Sequence, residues 1–261
     1  MNSPEQTPTQ VYWRTTLKAI WSGLLTAFNS NKTSWVGLVL FLLVCITAIL
    51  APLLAPHDPL EQSILYRLKP PTAEYLMGTD YYGRDTLSRL IWGARISLTI
   101  GLLAIGVAMI IGSLIGLVAG YFGGKTDIII MQTMDVLLAF PSLILGLIVV
   151  AMLGPSITNL VIAISFTAIP PFARIARAPT MAIKEREFIE AGRALGYSDL
   201  RLMLGHILPN ILPEILVMGS LWLATAIRVE ASLAFIGLGV SPPTPTWGAV
   251  SYTHLTLPTK A

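Results

Sequence analysis

Long uncharged stretches, rather than alternating polar and apolar positions, set the pattern of this chain. Trp35 to Ala55 carries no charge and closes on Pro52 and Pro56. Ile96 to about Phe122 is also uncharged and holds Gly101, Gly106, Gly112, Gly116 and Gly120. No charged residue occurs between Val136 and Ala173. Crossing ~30 Å of hydrocarbon takes about 20 apolar helical residues, so each stretch predicts at least one membrane span. The first is too long and too far from Met1 for a signal peptide, and no small-residue cleavage site follows it. The third is too long for one helix, and Gly154-Pro155 is a turn signal near its middle. It divides into spans from about Ile128 to Leu153 and from about Ile157 to Phe172. A fifth span begins near Pro209 and runs into the 230s. Asp135 is then expected near the start of the third span, within reach of headgroups. Arg228, about 26 Å along the fifth span, is expected with Glu230 near the far interface. Gly112 and Gly116 form a small-xxx-small pair that admits a second helix closely, although glycine is common in membrane helices anyway.

Composition agrees with this pattern. Of 261 residues, 54% are hydrophobic and only 12% charged, with mean hydropathy +0.71. Soluble domains carry charge on about a quarter of their residues, so a soluble enzyme is excluded. Disorder requires the opposite composition. One cysteine, Cys45 in an apolar run, excludes a disulfide scaffold. The expected fold class is an all-α integral membrane protein. Basic residues decide its orientation: Arg14, Lys18, Lys32, Lys125, Arg174, Arg177, Lys184, Arg186, Arg193 and Arg201 fall on one side. Arg67, Lys69, Arg84, Arg89 and Arg95 fall on the other, diluted by Asp58, Glu61, Glu74, Asp80 and Asp85. The bias predicts a cytoplasmic N-terminus and a cytoplasmic segment from Arg174 to His206.

That segment is the most informative in the chain. Phe188, Ala191 and Leu195 recur at helical spacing on one stripe, and Gly196 follows as a helix stop free to turn left-handed. Ser198 caps a second short helix with Asp199 in its first turn, and Pro209 ends the loop before span five. The prediction is a compact helix-turn-helix with a small-residue patch of Ala191, Gly192 and Ala194. Periodicity alone favours an amphipathic hairpin resting at the membrane interface.

Glu190-Ala191-Gly192, Gly196 and Leu208-Pro209 resemble the "EAA" loop of type I ABC-importer permeases. Gly192 stands where alanine is usual and His206 where isoleucine is usual, the latter like the peptide-importer branch. Gly78-Thr-Asp-Tyr-Tyr-Gly-Arg-Asp85 with Ser88-Arg89 and Gly93-Ala-Arg-Ile-Ser97 resembles the stretch before the second span in dipeptide, oligopeptide and nickel permeases. Met134-Asp135 with Ala139-Phe140-Pro141, and Leu233 to Gly239 with Pro242-Pro243 and Trp247-Gly248, fit the same branch. The resemblance runs from about Trp35 to Gly248. It implies a helical bundle of the type I importer kind, and a coupling role toward an ATPase for Glu190, Ala191, Gly192, Gly196, Leu208 and Pro209. It further implies a second homologous permease subunit, two cytoplasmic ATPases and an extracytoplasmic substrate-binding protein, in a bacterial or archaeal inner membrane.

The expected organisation is a cytoplasmic tail over 1–34, a first span with its external loop over 35–94, and a permease domain over 95–250 containing the coupling loop 174–209. Family members continue into a sixth span and a basic tail. Residues 251–261 do not resemble them, so five spans are expected here, with a sixth missing and 251–261 non-native.

No catalytic constellation, metal site or cofactor site is expected. His57, His206 and His254 fall in separate loops, with His57 beside Asp58-Pro59 read as an interfacial turn. There is no glycine-rich Lys-Ser/Thr phosphate loop, so ATP chemistry falls to a partner. The basic residues are spread along loops and leave no nucleic-acid footprint. A membrane-embedded hydrolase fails for want of an intramembrane His, Glu or Asp pair. A secondary transporter or channel without an ATPase is the alternative, with Asp135, Glu214, Arg228 and Glu230 as its only ionisable candidates. The sequence leaves dipeptide, oligopeptide, glutathione and nickel chelate undistinguished as substrates.

Overall fold

The computed structural model describes residues 32–255, with side chains over 33–251; most of the predicted N-terminal tail lies outside them. The described residues are helical, joined by loops, with one isolated bridge between Thr79 and Asp85. In chain order they form α1 (Lys32–Ile49), α2 (Ala51–Leu54), α3 (Thr86–Phe122), α4 (Gly124–Leu138), α5 (Ser142–Leu153), α6 (Ile157–Lys184), α7 (Glu187–Ala194), α8 (Asp199–Leu202), α9 (Leu208–Phe235) and α10 (Trp247–Leu255). The last of these runs across the boundary expected at residue 250.

Among the described residues, three runs are long and apolar enough to cross a membrane: α3, α6, and the stretch Asp199–Phe235 that contains α9. The predicted spans differ from expectation in form or extent, the first and third most. Among the described residues the first is the apolar helix Thr33–Ile49, which stops before the expected Ala55 because Leu50 leaves the helix and Pro52 starts a separate turn. The third is not one rod: α4 and α5 meet at 86°. The bend falls on Ala139-Phe140-Pro141, where Pro141 has no N–H to continue the α4 ladder and instead accepts from Leu145 as α5 begins. The predicted turn at Gly154 is present, with φ +88°. Ser156 caps α6 by accepting from Asn159 N–H, and Asn159 Nδ2 closes the carbonyls of Leu153 and Gly154 at 2.8 and 3.0 Å.

The bundle is organised around the α3–α6 seam. A Cβ on Gly112 would stand 2.6 Å from the Ile169 carbonyl oxygen, and on Gly116 2.1 Å from that of Ala173. On Gly120 it would stand 2.7 Å from that of Arg177. The small-xxx-small pair is therefore two-thirds of a three-glycine groove that seats α6 backbone against backbone. Such close packing stabilises α6 well past its expected end at Phe172. Pro170, Pro171 and Pro179 all lie inside the helix, which tolerates them because neighbouring helices compensate the freed backbone groups. Arg174 and Arg177, expected at the head of the cytoplasmic loop, are consequently part of α6.

Before α3, residues 55–85 fold into a cap around Asp80. Its carboxylate accepts from the N–H groups of Tyr82 and Arg84 and from Arg84 Nε, with Arg84 Nη2 at 2.7 Å and Arg89 Nε at 3.6 Å. Arg89 Nη1 donates to the carbonyls of Pro59 and Pro243, tying the cap to the loop after α9. Asp85 caps α3 through Ser88 N–H. All three of Asp80, Arg84 and Arg89 are buried. Asp80→Ala leaves two guanidiniums enclosed without their carboxylate and should loosen the cap by about 3 kcal/mol. Limited proteolysis would read this as cleavage within 55–85 at protease levels that spare the parent protein.

Candidate functional site

The segment between α6 and α9 forms the expected hairpin. Arg186 and Ile183 close the end of α6, and α7 follows with Glu187 and Glu190 in its first turn and Arg193 in its last, matching the helix dipole. Gly196 takes φ +78°, where a side chain is strained. Its N–H donates to Arg193 and that of Tyr197 to Gly192, which reverses the chain. Ser198 then caps α8 by accepting from Arg201 N–H.

The hairpin does not end at Pro209 as expected. From Asp199 to Phe235 the chain is one helical run of 37 residues. The Met203–Ile207 turn is a π-bulge in which Leu208 N–H reaches back to Met203. Such a bulge re-registers the ladder around a proline whose ring would otherwise collide with the preceding turn. Asn210 Nδ2 takes the His206 carbonyl at 2.6 Å. The returning arm of the hairpin is thus continuous with a transmembrane helix.

Its inner face is packed. Ile189, Leu202, Met203 and Ile207 are buried in the same cluster as Leu117, Tyr121 and Ala176 of the bundle. Tyr121 Oη donates to Asp199 at 2.6 Å, Lys184 Nζ reaches the Tyr121 carbonyl at 3.4 Å, and Arg193 lies over the Tyr121 ring. Arg201 lies 4.0 Å over Tyr197, which stacks on His206. Here the small-residue patch needs correcting. Gly192 faces inward, where an added Cβ would meet Leu202 Cδ2 at 2.9 Å; it admits α8 rather than an outside surface. Ala191 and Ala194 remain exposed, as do Glu190, Gly196 and Pro209, while Leu208 is half-buried.

The outer face carries the stripe that periodicity picked out. Phe188 is 49% and Leu195 74% exposed, with Ala191 between them and Glu190 and Arg193 alongside. Leu200 and Leu204 add exposed apolar area on the returning helix. The hairpin is thus packed on its inner side and carries an exposed apolar stripe on its outer side.

The partners of two polar groups were not read from the sequence. At the far end of the bundle Glu230 is fully buried. Ser97 Oγ donates to it at 3.0 Å and accepts from Trp247 N–H at 3.1 Å, so α3, α9 and α10 meet on one carboxylate. Gly248 packs on Ala231 there, with an added Cβ 2.7 Å from its Cα. The second group is a pair of ion pairs between α4 and α6: Asp127 with Arg177, bidentate at 2.5 Å, and Asp135 with Arg174 at 2.5 Å. Asp135 stands near the end of α4, not near the start of the span. Its isolation in the apolar pattern was the available signal; its partners were hidden because they read as loop charges. His57, beside Asp85 in the cap, and His206, in the hairpin, lie at opposite ends of α3.

The model of the family described as "Binding-protein-dependent transport system inner membrane component" matches residues 112–253. That of the "N-terminal TM domain of oligopeptide transport permease C" matches residues 20–71. The Di/tripeptide transport system permease protein DppC of Pseudomonas aeruginosa (strain UCBPP-PA14) is 42% identical over 255 residues, covering 95% of this chain and 82% of that protein. The Dipeptide transport system permease protein DppC of Alkalihalophilus pseudofirmus is 41% identical over 228 residues, covering 87% and 75%. In fold, the chain is similar to a solved inward-facing conformation of the MetNI methionine ABC transporter. The TM-score is 0.55 at 18% identity over 67% of this chain and 83% of that one.

Proposed function

The chain belongs to the binding-protein-dependent transport system inner membrane components, and from that premise we propose that it is one of two permease subunits of a peptide importer driven by separate ATPases. The observation that carries the coupling half of this reading is the hairpin: a packed inner face, an outward stripe of Phe188, Ala191 and Leu195, and an unbroken helical run into α9. A cytoplasmic ATPase gripping that stripe would move α9 through the packing of Gly192 on Leu202, and α3 through Tyr121 and Asp199. The bundle would then rock between inward-open and outward-open states. This chain performs no hydrolysis in the scheme; the ATPases supply the energy, and a binding protein delivers the peptide from outside. The membrane is the bacterial inner membrane, with the N-terminus and hairpin in the cytoplasm.

The names of the two DppC relatives support a peptide substrate. Uptake of a labelled dipeptide into proteoliposomes holding this chain, a second permease, the ATPases and the binding protein tests the whole reading. Uptake should require internal ATP and the binding protein together; uptake driven by an ion gradient without ATPases would defeat it. Within that complex Glu190→Lys reverses an exposed charge at the rim of the stripe. Co-purification of the ATPases should fall about tenfold, the effect of about 1.4 kcal/mol at a rim charge. Wild-type recovery of the ATPases would remove Glu190 from the contact. Orientation is checked separately by impermeant thiol labelling of intact cells, which should reach Ser63→Cys and not Ser198→Cys.

A further inference from the structure

We propose that the groove between α4 and α6 is a contact site for the two charged ends of a zwitterionic substrate, an inference that rests on the peptide-importer reading. The groove encloses about 510 Å³ and is lined by Asp127, Ile128, Met131, Gln132, Asp135, Arg174 and Arg177. Asp127, Met131 and Asp135 share one helical face of α4, opposite Arg174 and Arg177 on α6.

The two ion pairs are built differently. Asp127 and Arg177 are joined through both carboxylate oxygens, and their side chains are 12% and 32% exposed. That pair is a strut. Asp135 and Arg174 meet through one oxygen, with side chains 52% and 55% exposed. An exposed pair is held weakly because water competes for both partners, so a ligand offering the same charges can replace each half.

Position argues that this exposure has a use. Asp135 is the twelfth residue of α4, about 17 Å along it. Arg174 lies about 15 Å back from the end of α6. No charged residue falls between them in sequence. A half-exposed charge on a spanning element is costly against lipid, so such groups face water or protein. Four charged groups sum to zero here, which disfavours a bare anion or a metal cation. They suit a ligand with one ammonium, for Asp135, and one carboxylate, for Arg174. Met131, with its flexible thioether, and Ile128 offer an adaptable wall for variable side chains.

The test uses the assembled importer with Cys45→Ala and Gln132→Cys, placing one thiol in the groove, and Ala-Ala as the probe. Ala-Ala should slow maleimide labelling of that thiol about tenfold, the value of one charge-assisted hydrogen bond. N-acetyl-Ala-Ala-amide, which lacks both end charges, should not. Asp135→Asn should abolish the protection and lower Ala-Ala uptake similarly, while ATPase co-purification stays at the parent level. The exchange Asp135→Arg with Arg174→Asp should not restore uptake. Restored uptake in the exchanged variant would mean the pair is only a strut. Loss of the second permease from the exchanged complex would mean it is a subunit contact. Equal protection by both peptides would remove the charged ends from recognition. Each of these overturns the site while leaving the importer intact; a parent complex that imports no Ala-Ala overturns the importer reading and this inference with it.

Discussion

Gly116→Val should yield no correctly folded bundle. The added Cβ would stand 2.1 Å from the Ala173 carbonyl oxygen and 3.0 Å from Ala176 Cβ. Both belong to α6, and one is backbone, so no rotamer change relieves the clash. Overpacking a core by a methyl group costs about 1–3 kcal/mol where side chains can yield; here α6 itself must move, and with it the buried row of Phe172, Ala173 and Ala176. Gly106 is the control on the same helix, since an added Cβ there meets nothing within 4 Å. Size-exclusion profiles of fluorescently tagged protein in mild detergent should give a sharp peak for the parent and Gly106→Ala. Gly116→Val should give only aggregate. A monodisperse Gly116→Val peak would show that the α3–α6 seam is looser than the packing described.

Leu195→Asp should separate folding from coupling. Leu195 touches little of its own chain, and exposed substitutions of this kind usually change stability by less than about 0.5 kcal/mol. In a complex the same side chain would be the most exposed large apolar member of the outward stripe, and an interface hot spot is worth about 2 kcal/mol or more, roughly thirtyfold in affinity. Membrane insertion and thermal stability should match the parent, while ATPase co-purification and ATP-dependent uptake collapse. Ile189→Asp is the contrasting variant: Ile189 is fully buried under the hairpin, so it should lower thermal stability as well. Parent-level co-purification in Leu195→Asp would remove this stripe as the coupling surface.

The hairpin was the most legible part of the candidate site because its signals are local. A left-handed glycine, a capping serine and an apolar stripe at i, i+3 and i+7 each depend on neighbours in sequence, and Gly196, Ser198 and Phe188, Ala191 and Leu195 occupy those positions in the structure. Gly192 was misread for the opposite reason. Ala191, Gly192 and Ala194 look alike in sequence, and only the returning α8 makes one of them an inner contact.

Span boundaries failed where tertiary packing overrode local chemistry. Pro170-Pro171 argues for a helix end at Phe172, yet the glycine groove on α3 holds α6 helical to Lys184. Pro209 argues for a break, yet a π-bulge carries the helix through it. Hydropathy alone determined that the protein is helical and lies in a membrane, because hydrocarbon leaves unpaired backbone groups no other partner. The order of the elements and the outward stripe of the hairpin were likewise written in one-dimensional spacing. Which charges meet was not. Asp127 and Arg177 are fifty positions apart, and Ser97 and Glu230 are farther still. An ion pair leaves no periodic trace, so the groove between α4 and α6 and the buried carboxylate under α10 exist only once the helices are packed.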